Sequence, residues 1–199
     1  MNNFSCINLS SSICTDHPFP HFSSALVFQN DVDSQLFDWF ENTNSWSLTN
    51  AEFYDQYEFS FFNTEIPTHL QCIISAQTIN TIQEKLKSVF DVKHFELVGV
   101  TAHKLVHDQR IGIHNDFIGE EETHRLVIHI NPNWQDENGG LLVLFNSDKA
   151  EDITKIIKPV NNSALGFEIS QRSNHAVSKV YNFTRYSIVY TFAARKDSL

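Results

Sequence analysis

Basic residues are missing from the first 84 positions of this 199-residue chain. The first is Lys85, whereas ten carboxylates lie between Asp16 and Glu84, and the formal net charge of the chain is -10. Nucleic-acid binding needs a basic face to meet the phosphates, so this distribution argues against a nucleic-acid partner. A cationic ligand is the better electrostatic match to the N-terminal part, although an acidic surface that only maintains solubility explains the same charges.

Long apolar runs and paired cysteines are also missing. No run reaches the roughly 20 residues that cross a bilayer, and residues 1–20 contain no lysine or arginine, so neither a membrane span nor a signal peptide is predicted. The cysteines, Cys6, Cys14 and Cys72, are odd in number and lack the spacing of a metal site. These absences predict a cytoplasmic protein with free thiols.

Apolar residues are plentiful enough for an independent core. They make up 41% of the chain and include 17 phenylalanines, so a domain of this size can offset its ordering entropy by burial. Residues 1–22, rich in serine, asparagine and proline, are expected to be irregular. A single domain is expected over 23–199, with a helical part over 23–93 and a β part over 94–199.

Two amphipathic helices are predicted in the helical part. The apolar positions of the first recur at helical spacing and are Val32, Leu36, Phe37 and Phe40. Asp31 or Asp33 is expected to cap its first turn. The apolar positions of the second are Ile79, Ile82, Leu86, Val89 and Phe90. This second helix is expected to end near Asp91.

Eight strands are predicted after Lys93, because short apolar or alternating runs are separated there by turn signals such as Asn138-Gly139-Gly140. The runs are 95–106, 110–116, 125–130, 141–145, 155–160, 164–169, 175–181 and 185–193. Such a pattern is typical of a sandwich or barrel. We therefore predict a mainly β fold with flanking α-helices, a double-stranded β-helix or jelly roll, with the helices packed on one outer face.

A candidate metal site combines residues from separate strands. His114 and Asp116 are two residues apart, so strand periodicity places both on one face. His175 opens a later strand, and Arg185 follows ten residues further on. Two histidines and one carboxylate on one face of an octahedron suit non-haem Fe(II) that activates oxygen. A His-x-Asp pair alone is weak evidence in a chain with ten histidines, but here four elements agree in order.

Over residues 95–192 the sequence resembles the prolyl 4-hydroxylase-like branch of the 2-oxoglutarate/Fe(II)-dependent oxygenases. The motifs that carry the resemblance are His114-x-Asp116, Arg125-Leu126-Val127-Ile128, Asn131-Pro132, Gly139-Gly140, Asn174-His175 and Arg185-Tyr186-Ser187. The resemblance implies that iron is held by His114, Asp116 and His175. It also implies that Arg185 pairs with the distal carboxylate of 2-oxoglutarate and that Ser187 assists.

The same resemblance implies a dioxygenase that hydroxylates an unactivated C–H bond of an amino acid or peptide, consumes O2 and 2-oxoglutarate, and releases succinate and CO2. Ascorbate is implied as the reductant that keeps the iron ferrous. Demethylation and desaturation begin in the same way and stay open. Halogenation is disfavoured, because the Asp116 carboxylate takes the position that a halide would need.

Other functions remain possible for the same fold. A cupin-like isomerase or a catalytically inactive metal-binding jelly roll needs no oxo-acid anchor, so Arg185 argues against both. A zinc hydrolase using His103 and His107 would need a helix there, because their i, i+4 spacing aligns the two side chains on a helix, whereas their segment is predicted to be a strand.

Further contacts in the cavity stay open as well. The segment before His114 lacks the tyrosine and glycine that many relatives carry, so Lys104, His107 or Arg110 is a candidate for a second oxo-acid contact. Arg125 and His129 share a strand face with Val127 and either line the cavity or face solvent.

The acidic N-terminal third leads to a hypothesis about the substrate. We hypothesise that it lies beside the cavity mouth and favours a cationic substrate, such as a basic amino acid or peptide. The aromatic residues that would form apolar walls or cation-π contacts there are Trp39, Trp46, Tyr54 and Tyr57. In the competing interpretation these aromatic residues pack the helices onto the roll.

Overall fold

Two antiparallel sheets face each other in the computed structural model, which describes residues 5–51 and 54–195. The strands are β1 (Ser12–Thr15), β2 (His21–Ala25), β3 (Ser47–Asn50), β4 (Asp55–Ser60), β5 (His94–Leu105), β6 (Ile111–His114), β7 (His124–His129), β8 (Leu142–Phe145), β9 (Ile153–Ile157), β10 (Ser163–Glu168), β11 (His175–Val177) and β12 (Arg185–Arg195). The larger sheet has the order β1-β2-β10-β7-β12-β5-β4-β3, and the smaller has the order β6-β11-β8-β9. This architecture confirms the predicted mainly β jelly roll, including all eight strands predicted after Lys93.

The helices flank the roll. The two α-helices are α1 (Val32–Asn42) and α2 (Ala76–Phe90), and short 3-10 helices span Thr68–Ile74 and Asp136–Asn138. Helix α2 begins where the Ser75 side chain accepts a hydrogen bond from the Thr78 N–H. It ends at Phe90, next to Asp91 as predicted. The backbone of Asp91 has a left-handed conformation. Within the described residues, no helix is long and apolar enough to cross a membrane.

The predicted cap of α1 is wrong. Asp31 precedes the helix with a positive φ of 57°, and its side chain makes no capping hydrogen bond. Asp33 is committed elsewhere, because its carboxylate accepts a hydrogen bond of 2.7 Å from the Asn161 side chain. A distant partner therefore competes with the local cap for the same carboxylate.

Strand β12 borders two different interiors, because its successive side chains point to opposite faces of the larger sheet. Tyr186, Ile188, Tyr190 and Phe192 belong to the core that the two helices cover, together with Leu36, Phe40, Ile82 and Leu86. Burying one such side chain contributes about 1.5–3 kcal/mol. The alternate residues, beginning with Arg185, face the smaller sheet. The helices thus cover one outer face of the roll, as predicted.

The expected irregularity of residues 1–22 is wrong for β1 and for the start of β2. Strand β2 pairs with β10, where Phe22 lies opposite Gly166. The fully buried Phe22 ring fills the space beside that glycine, since a Cβ there would lie 2.2 Å from the ring. Local composition does not reveal this strand, because a partner over 140 residues away stabilises it.

The helical part also differs from its expectation, because it contains the hairpin of β3 and β4. This hairpin extends the larger sheet beyond β5, with Glu58 of β4 opposite His103.

Free thiols are confirmed at Cys6, Cys14 and Cys72. The cytoplasmic location stays a prediction.

Replacing Gly166 by alanine tests the packing of β2. We expect Gly166→Ala to lower the free energy of unfolding by about 1–3 kcal/mol, because the new methyl group overlaps the Phe22 ring. Gly99→Ala is the matched control, since a Cβ on this other strand glycine meets nothing within 4 Å. Urea denaturation measures both. Equal stability of the two variants would contradict this placement of β2.

Candidate active site

A cavity of about 310 Å³ lies between the two sheets. Strands β4, β5, β7, β10 and β12 of the larger sheet and β6, β8 and β11 of the smaller sheet supply its lining. Its size is at the lower end of the range for pockets that hold small organic ligands.

His114, Asp116 and His175 converge on one point in this cavity. One ligand atom from each lies within 4.8 Å of the others, and they form a group suited to a metal ion among the described residues. The Nε2 atom of His114 is 3.3 Å from Oδ1 of Asp116, and Nε2 of His175 is 3.2 Å from Oδ2. The two histidines are also register partners across β6 and β11.

Asp116 reaches this point by a turn and not by strand periodicity. Strand β6 ends at His114, and Asp116 has a φ of 61°, in the left-handed region that aspartate tolerates better than most residues. The expectation of one continuous strand over 110–116 is therefore wrong, although the two side chains do lie together.

Backbone carbonyls orient both imidazole rings. Nδ1–H of His114 donates to the Gly112 carbonyl at 2.9 Å, and Nδ1–H of His175 donates to the Ser173 carbonyl at 2.7 Å. Because a carbonyl only accepts, each Nδ1 carries a proton, and Nε2 is the ring atom that can bind a metal. Both Nε2 atoms lie on the side of Asp116, the orientation that metal-binding histidines need.

Asp116 is an ionised carboxylate. Burial alone would raise its pKa, but His175, His114 and Arg125 together hold that pKa well below its usual value. Its buried Oδ2 accepts no aligned hydrogen bond, even though Nη1 of Arg125 is 2.7 Å away. Two imidazole nitrogens and one carboxylate oxygen form a donor set that fits Fe(II).

Arg125 lines the cavity and does not face solvent. Besides Asp116, it pairs with Glu122, with Nη2 donating to Oε2 at 2.8 Å. This arginine therefore lies between two carboxylates, and its charge is compensated inside the protein. The sequence alone left open whether the Arg125 side chain lines the cavity or faces solvent.

Arg185 is a buried cation without a carboxylate partner among the described residues. Its Nε donates to the Gly140 carbonyl at 2.9 Å, and Nη1 lies 3.5 Å from the Ser187 hydroxyl on the same face, as predicted. Nη2 lies 3.4 Å from Nδ1 of His129, whose pKa burial and Arg185 hold well below its usual value, so this ring is neutral. Burial lowers the pKa of Arg185 only to about 10, so the guanidinium keeps its charge at neutral pH.

The Gly-Gly turn makes room for this arginine. Gly139 and Gly140 both have positive φ, at 62° and 64°. A Cβ on Gly140 would lie 2.8 Å from Cδ of Arg185. Glycine is therefore needed at this position for both its conformation and its small size.

The suggested second oxo-acid contacts do not reach the cavity. Lys104 lies on the opposite face of β5, with Nζ 5.5 Å from the centre of the Trp46 ring and 5.4 Å from that of Tyr57. His107 and Arg110 are exposed outside the cavity. His103 does line the cavity, but His107 does not join it there, so the zinc site suggested for this pair does not form.

The side chains that sequence reasoning failed to place are those of β4. Gln56 and Glu58 line the cavity together with Tyr54, which precedes the strand. Tyr54, Gln56 and Glu58 are each two residues apart, and this alternation is a sign of a β-strand that the sequence analysis did not use. Trp39 and Trp46 pack in the core beneath the helices and form no wall of the cavity.

Comparison with known proteins identifies the class of this site. Residues 100–193 match the family model described as the 2OG-Fe(II) oxygenase superfamily. Among solved structures, a Pseudomonas putida prolyl-4-hydroxylase superposes with a TM-score of 0.68 at 15% identity, covering 88% of this chain and 93% of its own. No curated protein matches the sequence significantly.

Two further prolyl hydroxylases share the fold. The Trichoplax adhaerens enzyme, in complex with a hypoxia inducible factor peptide fragment, has a TM-score of 0.61 at 12% identity and covers 87% of this chain and 83% of its own. The viral collagen prolyl hydroxylase of Paramecium Bursaria Chlorella virus-1 has a TM-score of 0.60 at 13% identity and covers 88% and 96%. Residues 100–193 thus match the 2OG-Fe(II) oxygenase superfamily, and the fold is similar to that of prolyl hydroxylases. Both findings agree with the resemblance in the sequence.

Proposed function

We propose that this enzyme is a hydroxylase in which His114, Asp116 and His175 hold Fe(II) and Arg185 holds 2-oxoglutarate. The observation that carries the proposal is the buried Arg185 guanidinium. It has no carboxylate partner within residues 5–51 and 54–195, and it lines the same cavity as the three converging ligand atoms. A buried cation without a counter-ion is costly, and a dicarboxylate cosubstrate would compensate it. Neither a cupin-like isomerase nor an inactive module needs this arrangement.

Each residue of the cavity has its own proposed role in binding or orienting the iron and the cosubstrate. When bound, Fe(II) would activate O2, and 2-oxoglutarate would supply two of the four electrons that O2 takes up, so that one oxygen atom enters the substrate C–H bond and the other enters succinate as CO2 is released. Arg185 offers a planar fork to the distal carboxylate, and the Ser187 hydroxyl lies close enough to share that contact. The Gly112 and Ser173 carbonyls keep both histidine rings in their binding orientation. Ascorbate is proposed as the reductant.

We further propose that the substrate is an amino acid or a peptide with a cationic group. The Trichoplax enzyme named above, which shares this fold, forms a complex with a peptide fragment, and this supports a peptide as one candidate substrate. In this chain the acidic N-terminal third supplies part of the cavity wall through β4. A positively charged substrate would be attracted to that wall.

Removal of any proposed iron ligand should abolish metal binding and leave the fold intact. We expect His114→Ala, Asp116→Ala and His175→Ala each to weaken Mn(II) binding by more than the roughly 10–100-fold that loss of an outer-shell partner costs. Calorimetric titration measures the affinity, circular dichroism checks folding, and the exposed His107→Ala is the control. Asp116→Gly should also stop hydroxylation. Full binding and activity in all three alanine variants would refute the assignment.

Arg185 should control the 2-oxoglutarate requirement. We expect Arg185→Ala to weaken 2-oxoglutarate binding by on the order of 2 to 5 kcal/mol, because one partner of a buried charge pair is lost. Mn(II) affinity should change little. Arg195→Ala is the matched control, since Arg195 lies on the same strand but is exposed and pairs with Glu96. An unchanged apparent affinity in Arg185→Ala would mean that another cation is the anchor.

A further inference from the structure

Two hydrogen-bond acceptors on β4 line the cavity. Gln56 is only 4% exposed, and its Oε1 has no hydrogen-bond partner. Glu58, two residues later on the same strand face, also lines the cavity. A buried polar atom without a partner is costly in a folded protein, so Oε1 is an acceptor that a ligand could satisfy.

The orientation of the Gln56 amide is determined by Glu58. Nε2 of Gln56 donates to Oε2 of Glu58 at 2.9 Å. Rotating the amide by half a turn would place its oxygen against a carboxylate oxygen, which is repulsive. Oε1 is therefore the amide atom left without a hydrogen-bond partner among the described residues. A ligand that satisfies this oxygen must donate a hydrogen bond to it.

The charge of Glu58 is not compensated by a basic side chain of the described residues. Thr49 donates to Oε1 at 2.9 Å, so each carboxylate oxygen accepts one neutral hydrogen bond and retains a free lone pair. The nearest ionisable nitrogen is Nε2 of His103, at 3.9 Å. Burial, together with the charges of Arg125 and Arg185, lowers the pKa of His103 to about 3, so this ring is neutral at pH 7.

The other charges of the cavity have partners already or receive them from the cosubstrate. Arg125 is shared by Asp116 and Glu122. Arg185 would be neutralised by the distal carboxylate of 2-oxoglutarate. Glu58 is then the carboxylate of the cavity that still lacks a cation, and it lies beside an acceptor that lacks a donor.

We propose that Glu58 and Gln56 select the substrate by binding its cationic nitrogen, a guanidinium or an ammonium group. This assignment rests on the oxygenase function proposed above. Both types of group combine a positive charge with several N–H donors. One such group can therefore form an ion pair with the Glu58 carboxylate and donate a hydrogen bond to Oε1 of Gln56. A neutral substrate of the same shape would leave the charge of Glu58 uncompensated.

Matched ligand pairs test this proposal. The probes are L-arginine against L-citrulline and L-lysine against L-norleucine, together with Gly-Arg-Gly against Gly-citrulline-Gly to distinguish a free amino acid from a peptide residue. Binding is measured by calorimetry on the protein loaded with Mn(II) and 2-oxoglutarate. Glu58→Gln removes the charge and keeps the shape, since the Thr49 hydroxyl can rotate to accept from the new amide. Asp55→Asn is the control, because this neighbouring carboxylate is exposed and outside the cavity.

We expect a cationic probe to bind at least roughly 10-fold more tightly than its neutral analogue, as a charge-assisted hydrogen bond implies. Glu58→Gln should bring that ratio close to one, Gln56→Met should reduce it in part, and Asp55→Asn should leave it unchanged. The proposal fails if no cationic probe binds at millimolar concentration, if no cationic preference is seen, or if Asp55→Asn and Glu58→Gln act equally.

Substrate-independent succinate formation separates this inference from the proposed function. Wild-type protein with Fe(II) and 2-oxoglutarate should form succinate slowly without substrate, and the control Asp55→Asn should keep that rate. If succinate forms but the cationic preference is missing, the substrate inference is wrong and the oxygenase function stands. If no succinate forms under any condition, the proposed function itself is wrong.

Discussion

Burial of both faces of β12 is the constraint on which the rest of the structure depends. One face is aromatic and aliphatic and lies beneath the helices, and the other carries Arg185 and Ser187 into the cavity. A slip of one residue would exchange the two faces, so the register must be held firmly. Asn131 helps to hold it, because this fully buried side chain accepts from the Tyr186 N–H at 2.7 Å and donates to the Pro159 carbonyl at 2.9 Å.

The two arginines of the cavity have different surroundings and therefore different tasks. Arg125 contacts Asp116 and Glu122, so its charge stabilises a carboxylate that the protein itself supplies. Among the described residues, the polar groups that Arg185 contacts are neutral, namely a carbonyl, a hydroxyl and an uncharged imidazole. The fold thus keeps one guanidinium compensated and leaves the other to be compensated by a ligand. Hydrogen bonds to neutral groups hold the second one in place meanwhile.

Sequence reasoning succeeded where the determinants were local. Apolar periodicity located α1, α2 and the eight strands after Lys93, and the ordered motif brought together the three proposed iron ligands. It failed for the β1–β2 and β3–β4 hairpins, which join the sheet because β2 pairs with β10 and β4 pairs with β5. Phe22 is an example, since its position is explained by Gly166 and not by its neighbours in sequence.

Cavity-facing residues were the hardest to assign. Arg125 and His129 could be placed on a strand face, but only the packing of two sheets shows that this face is internal. Lys104 was a reasonable candidate for the cavity by spacing, yet it lies over aromatic rings on the other side of β5. Gln56 was missed, and β4 was not predicted as a strand, because the surrounding segment was expected to be helical.

The β3–β4 hairpin lies at the edge of the larger sheet, apart from the strands that carry the proposed iron ligands. Strands β3 and β4 are the last two strands of the larger sheet, and β4 pairs with β5 while β3 pairs with β4 alone. The three proposed iron ligands lie in the smaller sheet and the loop after β6, on a different part of the framework. A change in the sequence or length of the hairpin therefore leaves in place the strands that carry the proposed iron ligands.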